Sequence, residues 1–184
     1  MSVLAVEDRE RLDKACAALL ALAAERPWSA ISLRDIADRA EVPLTDLYPL
    51  ARGKIALIGH LSARHDQAAL ATAATPSEDL HDRLFDATMA RVEAMEPDRE
   101  ALIAMARELP RLALAVHFPR TAQAILEAAG IEAAPPRVVA MTAVWARVAQ
   151  VWRDDEGALN RTMAEIDRRL KQMRERLGRI GAGF

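Results

Sequence analysis

The stretch "ISLRDIADRAEVPLTDLYPLARGK", residues 31–54, is the most informative part of this chain. It predicts two short helices joined by a tight turn, with Ser32 and Asp35 forming a capping box at the start of the first helix. Small and apolar residues occupy the positions that two crossed helices need for a shared core. These positions are Ile36, Ala37, Ala40, Val42, Leu47 and Leu50. The stretch therefore predicts a helix-turn-helix.

The rest of the chain also favours helices over strands. Hydrophobic residues make up 52% of the sequence and recur at helical spacing, while Pro and Gly separate one helical segment from the next. We expect an all-α protein of about nine helices, because the sequence contains about that number of periodic segments. A three-helix head should cover residues 1–52, and a helical body should cover residues 53–184. The expected helix limits include a start at Thr75 and ends at Gly130 and Gly178.

Charge and composition argue against several classes of function. The formal net charge is −2 and the pI is about 6.1, so the chain does not coat nucleic acid by bulk charge. No signal-peptide pattern is present, and the longest apolar run, residues 15–24, is too short to span a bilayer. We therefore expect a cytoplasmic protein. The four histidines lack metal-ligand spacing and no phosphate-binding loop or nucleophile motif occurs, so we predict no enzyme activity, no metal and no cofactor.

Residues 9–61 resemble the TetR family of one-component repressors. The resemblance rests on "ISLRDIADRAEV", on the pair Leu47-Tyr48, and on Gly53-Lys54 followed by an apolar helix. It implies that the third helix enters the major groove of DNA, while Tyr48, Lys54 and the start of the second helix hold phosphates. The DNA-contacting residues implied in this way are Ser32, Arg34, Leu44, Thr45, Tyr48 and Lys54.

The head departs from the family pattern at four positions. Glu41 occupies a turn position where the family favours Gly, and a left-handed Glu costs about 1 kcal/mol. Pro43 replaces the usual Ser or Thr, Asp46 adds a negative charge, and Ala51 replaces a Phe. Residues 1–60 contain eight basic and nine acidic side chains, a net charge of −1. Because DNA affinity rests largely on phosphate neutralisation, we expect weak binding unless the basic groups share one face.

Two helices of the body carry apolar stripes at heptad spacing. One stripe begins at Val138 and the other at Leu159, and such stripes pack helix against helix. In TetR-like proteins the last two long helices form a four-helix bundle with a second subunit, so the resemblance implies a homodimer. The interface residues implied are Val138, Val148, Trp152, Met163, Ile166, Leu170 and Met173. The alternative is that the stripes pack on their own chain, and periodicity does not separate the two.

The resemblance also implies a ligand pocket among the middle helices. The candidate lining residues are Phe85, Met89, Val92, Met105, Leu114, Phe118, Met141 and Trp145. Few polar residues interrupt this apolar material, namely Thr88, Arg91, Thr142 and Gln150. A small, mostly apolar ligand would fit such a lining. The alternative is that these residues form a plain hydrophobic core.

A second resemblance involves residues 143–170. A Trp-containing helix, an Asp-Asp turn, a Thr and then "IDRRL" are similar to the C-terminal region of TetR-fold lipid-binding accessory proteins of ubiquinone biosynthesis. That resemblance implies an isoprenoid lipid ligand and a peripheral membrane contact through residues 168–184. Six basic residues and one acidic residue lie there, as in a basic amphipathic helix. The alternative for this tail is the solvated face of a helix in a dimer.

Two functional hypotheses follow from the sequence. The favoured one is a ligand-responsive repressor, a homodimer whose heads bind operator DNA and which a small apolar effector releases. The alternative is a lipid-binding accessory protein of ubiquinone biosynthesis that acts at the membrane surface without binding DNA.

Overall fold

The computed structural model describes residues 6–109, 115–156 and 158–183. Within these ranges the chain is helical and contains no strand, which confirms the all-α prediction and its count of about nine helices. The helices are α1 (Val6–Glu25), α2 (Leu33–Arg39), α3 (Leu44–Leu50), α4 (Lys54–Ala71), α5 (Leu80–Met95), α6 (Arg99–Glu108), α7 (Phe118–Ala128), α8 (Pro135–Arg153) and α9 (Asn160–Arg179). Short 3₁₀ turns cover Trp28–Ala30, Thr72–Ala74 and Glu96–Asp98. None of the helices so described is long and apolar enough to cross a membrane.

The predicted end of α7 at Gly130 is confirmed. Gly130 has a φ of 73°, a left-handed conformation that glycine adopts without a Cβ penalty. The N–H of Ile131 donates to the carbonyl of Leu126 at 2.9 Å, and the N–H of Gly130 donates to that of Glu127 at 3.0 Å. These bonds satisfy carbonyls that the last turn of a helix otherwise leaves open.

Two predicted helix limits are wrong, each because another residue caps the helix. Helix α5 begins at Leu80 and not at Thr75, since the carboxylate of Asp79 accepts hydrogen bonds from the N–H groups of His81 and Asp82. Helix α9 continues past Gly178, and the left-handed residue after it is Gly181, with a φ of 69°. A glycine in a sequence therefore marks a possible helix end, and neighbouring glycines compete for that role.

Contacts divide the chain into two compact units. Among the described residues, the first contains 6–62 and 98–109, and the second contains 63–97, 115–156 and 158–183. Helix α6 packs on α1 and belongs to the first unit. The predicted domain limits, 1–52 and 53–184, stay a prediction. The functional assignment of those domains, a DNA-binding-type head and a ligand-binding and dimerisation body, stays a prediction.

Helix α1 is the centre of the first unit. It packs against α2, α3 and α6, and the fully buried Leu19, Ile36, Leu47 and Leu57 lie in the shared core. Five of the six core positions predicted for the helix-turn-helix are buried, and the sixth, Leu50, is half-buried and packs against the same core. The helix-turn-helix prediction is confirmed.

Helix α8 is the central helix of the second unit. It packs against α7 and α9, while α5 also contacts both of those helices. The largest fully buried side chains of this unit come from all four helices: Leu84, Ile125, Leu126, Met141, Trp145, Ile166 and Leu170. Burial of apolar surface on this scale is what holds the four helices together.

Candidate functional sites

The turn between α2 and α3 has the backbone that the sequence predicted. Glu41 has a φ of 54°, in the left-handed region that costs a non-glycine residue about 1 kcal/mol. The N–H of Val42 donates to the carbonyl of Ala37 at 3.0 Å and closes the turn. Pro43 then precedes the first residue of α3. The Glu41 side chain is exposed at this turn.

Helix α3 presents several of the predicted DNA-contacting residues on its surface. Tyr48 is 54% exposed, Thr45 is exposed, and Leu44 is half-buried against the core. The Thr45 hydroxyl lies 3.3 Å from a carboxylate oxygen of Asp46 and donates a hydrogen bond to it. Arg34 on α2 is also exposed. These four residues are accessible to a partner to different degrees, and their contact with DNA stays a prediction.

Ser32 is committed to the capping of α2. Its hydroxyl donates to a carboxylate oxygen of Asp35 at 2.6 Å and accepts from the N–H of Asp35 at 3.1 Å. The hydrogen bonds from Ser32 lower the pKa of Asp35 below its ordinary value, so this carboxylate is charged at neutral pH. A phosphate approaching the start of α2 would therefore meet a negative charge where the sequence predicted a phosphate contact.

Lys54 is likewise engaged within the chain. Its ammonium donates to the carbonyl oxygens of Trp28 at 2.5 Å and Ile31 at 2.7 Å. The same nitrogen lies 4.4 Å from the centroid of the Trp28 ring, a cation–π contact. Burial lowers the pKa of Lys54 below its ordinary value, as expected for an ammonium packed on an indole. These contacts give Lys54 a structural role, and its predicted phosphate contact stays a prediction.

Glu108, at the end of α6, binds the N–H groups of the 3₁₀ turn Trp28–Ala30, whose Trp28 carbonyl binds Lys54. Its carboxylate accepts from the N–H of Trp28 at 2.9 Å and from the N–H of Ser29 at 3.2 Å. Trp28 itself is buried. We call this arrangement of Trp28, Lys54 and Glu108 the Trp28 clamp. It connects α6 and α4 to the segment that leads into α2, and nothing in the sequence had indicated Glu108.

The predicted ligand-binding residues separate into two groups. Six lie in the second unit: Met89, Val92, Met141 and Trp145 are buried there, while Phe85 and Phe118 are half-buried. The rings of Phe118 and Trp145 meet edge to face, with centroids 6.5 Å apart. Met105 belongs to the core of the first unit, and Leu114 lies outside the described residues. A pocket lined by these residues stays a prediction.

A buried polar cluster accompanies the apolar residues of the second unit. The Nε of Arg91 donates to Asp66 at 2.6 Å, and the Thr121 hydroxyl donates to the same carboxylate oxygen at 2.9 Å. The guanidinium carbon of Arg91 lies 4.1 Å from the centroid of the Trp145 ring. We call Asp66, Arg91 and Thr121 the polar cluster. Removing one partner of such a buried ion pair typically costs 3–5 kcal/mol.

The other polar residues predicted for a lining do not share one environment. Thr88 is buried and donates to the carbonyl of Leu84 in its own helix. Thr142 is half-buried and donates to the carbonyl of Val138 at 2.7 Å. Gln150 is exposed. Only Arg91 among the four makes a polar contact between helices inside the second unit, and the sequence had not indicated its partner Asp66.

Most of the residues predicted for a dimer interface are buried within the single chain. Val148, Trp152, Ile166, Leu170 and Met173 lie in the second unit, where α8 and α9 pack on each other. Their burial within one chain is explained by this packing, and their assignment to a subunit interface stays a prediction. A heptad stripe shows that a helix face is buried but not which helix covers it. The remaining two residues, Val138 and Met163, are half-buried.

The apolar face of the C-terminal tail is also used within the chain. Leu170, Met173 and Leu177 are buried, whereas Ile180 is exposed. Lying on a membrane would require an amphipathic helix to turn that apolar face towards lipid. A contact of residues 168–184 with a membrane would thus have to use their basic side chains, unless α9 leaves the core.

Two residues on which the predicted resemblance to lipid-binding proteins rests have a structural role in this fold. Asp155, in the Asp-Asp turn, accepts from the N–H of Thr162 at 2.8 Å and from its hydroxyl at 2.6 Å. This pair fixes the first turn of α9 after the left-handed residue Leu159. The Asp…Thr pattern therefore supports the fold of the helix and does not by itself indicate a lipid ligand.

Comparisons with known proteins show the fold. No family model matches the sequence, and no curated protein matches it. A solved structure of a TetR transcriptional regulator from Rhodococcus sp. RHA1 superposes with a TM-score of 0.69 at 18% identity. The match covers 91% of this chain and 97% of the Rhodococcus chain. The chain therefore has a TetR-like fold along nearly its whole length.

The Trp28 clamp predicts an unequal response of two lysines to the same substitution. Lys54→Met should lower the free energy of unfolding in urea by about 2 kcal/mol, because two backbone carbonyls lose a charged donor. Lys14→Met, on the exposed face of α1, is the matched control and should change it by less than about 0.5 kcal/mol. Equal stability of the two variants would show that the clamp contributes nothing.

The buried histidine beside the polar cluster predicts a pH dependence of stability. Burial, helped by the charges of Arg91 and Arg64, lowers the pKa of His65 from 6.5 to about 3. The unfolded chain binds a proton there below about 6.5 and the folded chain does not until about 3, so stability falls as the pH falls through this interval.

The matched variants for this test are two histidines of α4. The unfolding free energy of the wild type, measured by urea denaturation, should decrease between pH 7 and pH 5. In His65→Gln that decrease should be smaller by roughly 1–2 kcal/mol. His60→Gln, at a half-buried position of the same helix, should leave the profile unchanged. A wild-type profile that is flat between these pH values would contradict the prediction.

Proposed function

We propose that the chain is a TetR-like transcriptional regulator that acts in the cytoplasm as a homodimeric, DNA-binding repressor and responds to a small apolar ligand. The observation that carries this proposal is the helix-turn-helix, with Thr45 and Tyr48 accessible on α3. The similarity of fold to a transcriptional regulator over 91% of the chain supports it. A helix-turn-helix places its second helix in the major groove, where these side chains would meet DNA.

The charges of the head lead us to propose a low affinity for DNA. Arg34 and Arg52 are exposed cations on the helix-turn-helix segment, and neither makes an ion pair with a described residue. Asp46 is partly balanced by Arg11, whose terminal nitrogen lies 3.8 Å away. Asp35 is likewise partly balanced by Arg26 at 3.3 Å, and the exposed Glu41 remains as a negative group near the expected phosphates. Few phosphates are neutralised in such a complex, so both its affinity and its salt dependence should be small.

The proposed homodimer would use the surface that α8 and α9 leave exposed. Val138 on α8 and Met163 on α9 are only half-buried within the chain. Small and apolar side chains allow helices of two subunits to approach closely. The proposed ligand is mainly apolar because the residues around Trp145 are apolar, and because Asp66 neutralises the charge of Arg91.

Binding to the DNA upstream of its own coding sequence tests the proposal. We expect a shift at micromolar protein and low salt in an electrophoretic assay. Replacing both Thr45→Ala and Tyr48→Phe should weaken binding about tenfold for all DNA sequences alike, since hydroxyl groups on phosphates carry no base information. Thr75→Ala, an exposed threonine outside the head, is the control and should bind as the wild type does.

A second candidate is a lipid-binding accessory protein of ubiquinone biosynthesis that works at the membrane surface. It is favoured by the hydrogen bonds that Ser32 and Lys54 make within the chain, because these bonds compete with two of the expected phosphate contacts. Mass spectrometry of the purified protein would detect an isoprenoid lipid. No DNA shift at micromolar protein, together with such a co-purifying lipid, would overturn the regulator proposal and support this one.

A further inference from the structure

Three arginines of the second unit surround one carboxylate. Glu165 on α9 accepts from the Nε of Arg147 at 3.1 Å, from that of Arg169 at 2.8 Å and from that of Arg168 at 3.1 Å. A terminal nitrogen of Arg168 also donates to it. Arg147 comes from α8, so the group joins two helices. We call Arg147, Arg168 and Arg169 the arginine cluster.

The carboxylate of Glu165 is buried and the three arginines around it are partly exposed, so the excess positive charge lies at the protein surface. The Glu165 side chain is 9% exposed, whereas those of Arg147, Arg168 and Arg169 are 41%, 52% and 29% exposed. Burial disfavours the charged form of Glu165, but the hydrogen bonds from Arg168, Arg169 and Arg147 outweigh it and lower its pKa to about 2. Three cations and one anion leave a net charge of +2 at neutral pH.

The arginine cluster retains donors for a further acceptor. Each guanidinium carries five N–H groups, and one carboxylate cannot accept hydrogen bonds from all the N–H groups of three guanidinium groups. One terminal nitrogen of Arg147 donates a hydrogen bond to the side-chain oxygen of Gln150 at 2.8 Å, and one terminal nitrogen of Arg168 donates to Glu165. The terminal nitrogens of Arg169 form no hydrogen bond with a described residue, and neither does one terminal nitrogen each of Arg147 and Arg168.

The neighbouring charges do not cancel this excess. Arg161, one turn before Glu165, donates to the carbonyl of Asp154 at 3.1 Å, and its charge helps to lower the pKa of Asp155, so these two groups offset each other. Asp167, the next carboxylate along α9, is already bonded to Lys171 at 2.8 Å and to His81 at 2.9 Å. Glu165 thus holds three guanidinium groups in fixed positions at a surface that stays positive.

We propose that the arginine cluster binds a phosphate group, either of a free phosphate anion or of an anionic phospholipid headgroup. Guanidinium groups match the geometry of phosphate oxygens with paired N–H donors, and they bind better when they are held in place beforehand. Glu165 provides that organisation, and its own charge leaves two positive charges for the ligand. The site lies on α8 and α9 and takes no part in the proposed binding of DNA by α3.

The test compares arginine with lysine at the same positions, which keeps the charge and preserves the pair with Glu165. Inorganic pyrophosphate would be titrated by calorimetry, and vesicles of phosphatidylglycerol or of phosphatidylcholine would be sedimented with the full chain. Arg147→Lys combined with Arg168→Lys should weaken binding of the active probe about tenfold, because lysine lacks the paired donors. Arg176→Lys combined with Arg179→Lys makes the same change at two exposed positions of α9 and should have no effect.

The outcomes separate the sources of the phosphate. Binding of pyrophosphate that falls in the cluster variant supports a site for a free anion. Binding of phosphatidylglycerol but not phosphatidylcholine vesicles, with the same fall, supports a lipid headgroup. Failure of the wild type to bind either probe would overturn the proposal and leave Glu165 as a tie between helices. An equal effect of both double variants would also overturn it, because general charge attraction would then explain the binding.

Discussion

The head of this protein depends on how the 3₁₀ turn at Trp28–Ala30 is held. The N–H groups of Trp28 and Ser29 donate to the carboxylate of Glu108, and the ammonium of Lys54 donates to the carbonyls of Trp28 and Ile31, with the Trp28 ring packed against that ammonium. Two short segments of backbone that would otherwise need water are satisfied by opposite charges. Because Ile31 and Ser32 follow directly, the Trp28 clamp fixes where α2 begins and with it the helix-turn-helix of the first unit.

A second charged arrangement stabilises the other unit by the same kind of compensation. Arg91 is buried among apolar side chains, and it is tolerated there because Asp66 and the Trp145 ring both face its guanidinium. Glu165 shows the reverse arrangement, since one carboxylate is shared by three arginines near the surface. The buried pair of Arg91 and Asp66 has no net charge, whereas Glu165 and the arginine cluster keep an excess of positive charge that a ligand can neutralise. This difference is why we place an anion at the arginine cluster and a mainly apolar ligand near Trp145.

The helix-turn-helix could be predicted from the sequence because its core spacing and its capping box are local. The left-handed Glu41 was expected for the same reason, from its place in the turn. The partners of α8 and α9 could not be predicted, because periodicity marks a buried face without naming what covers it. The role of Lys54 was equally hidden, since its contacts with Trp28 join residues 26 positions apart. Charged residues in the sequence could be counted, but their pairing depends on packing that only the fold supplies.

The proposed regulator requires the exposed face of α3 to be its DNA-binding surface. Hydrogen–deuterium exchange measured by mass spectrometry, with and without a DNA fragment from upstream of the coding sequence, tests it directly. We expect slower exchange in residues 33–50 when DNA is present, since contact with phosphates and bases stabilises the helices that make it. Unchanged exchange in residues 33–50, or protection confined to residues 160–179, would contradict it.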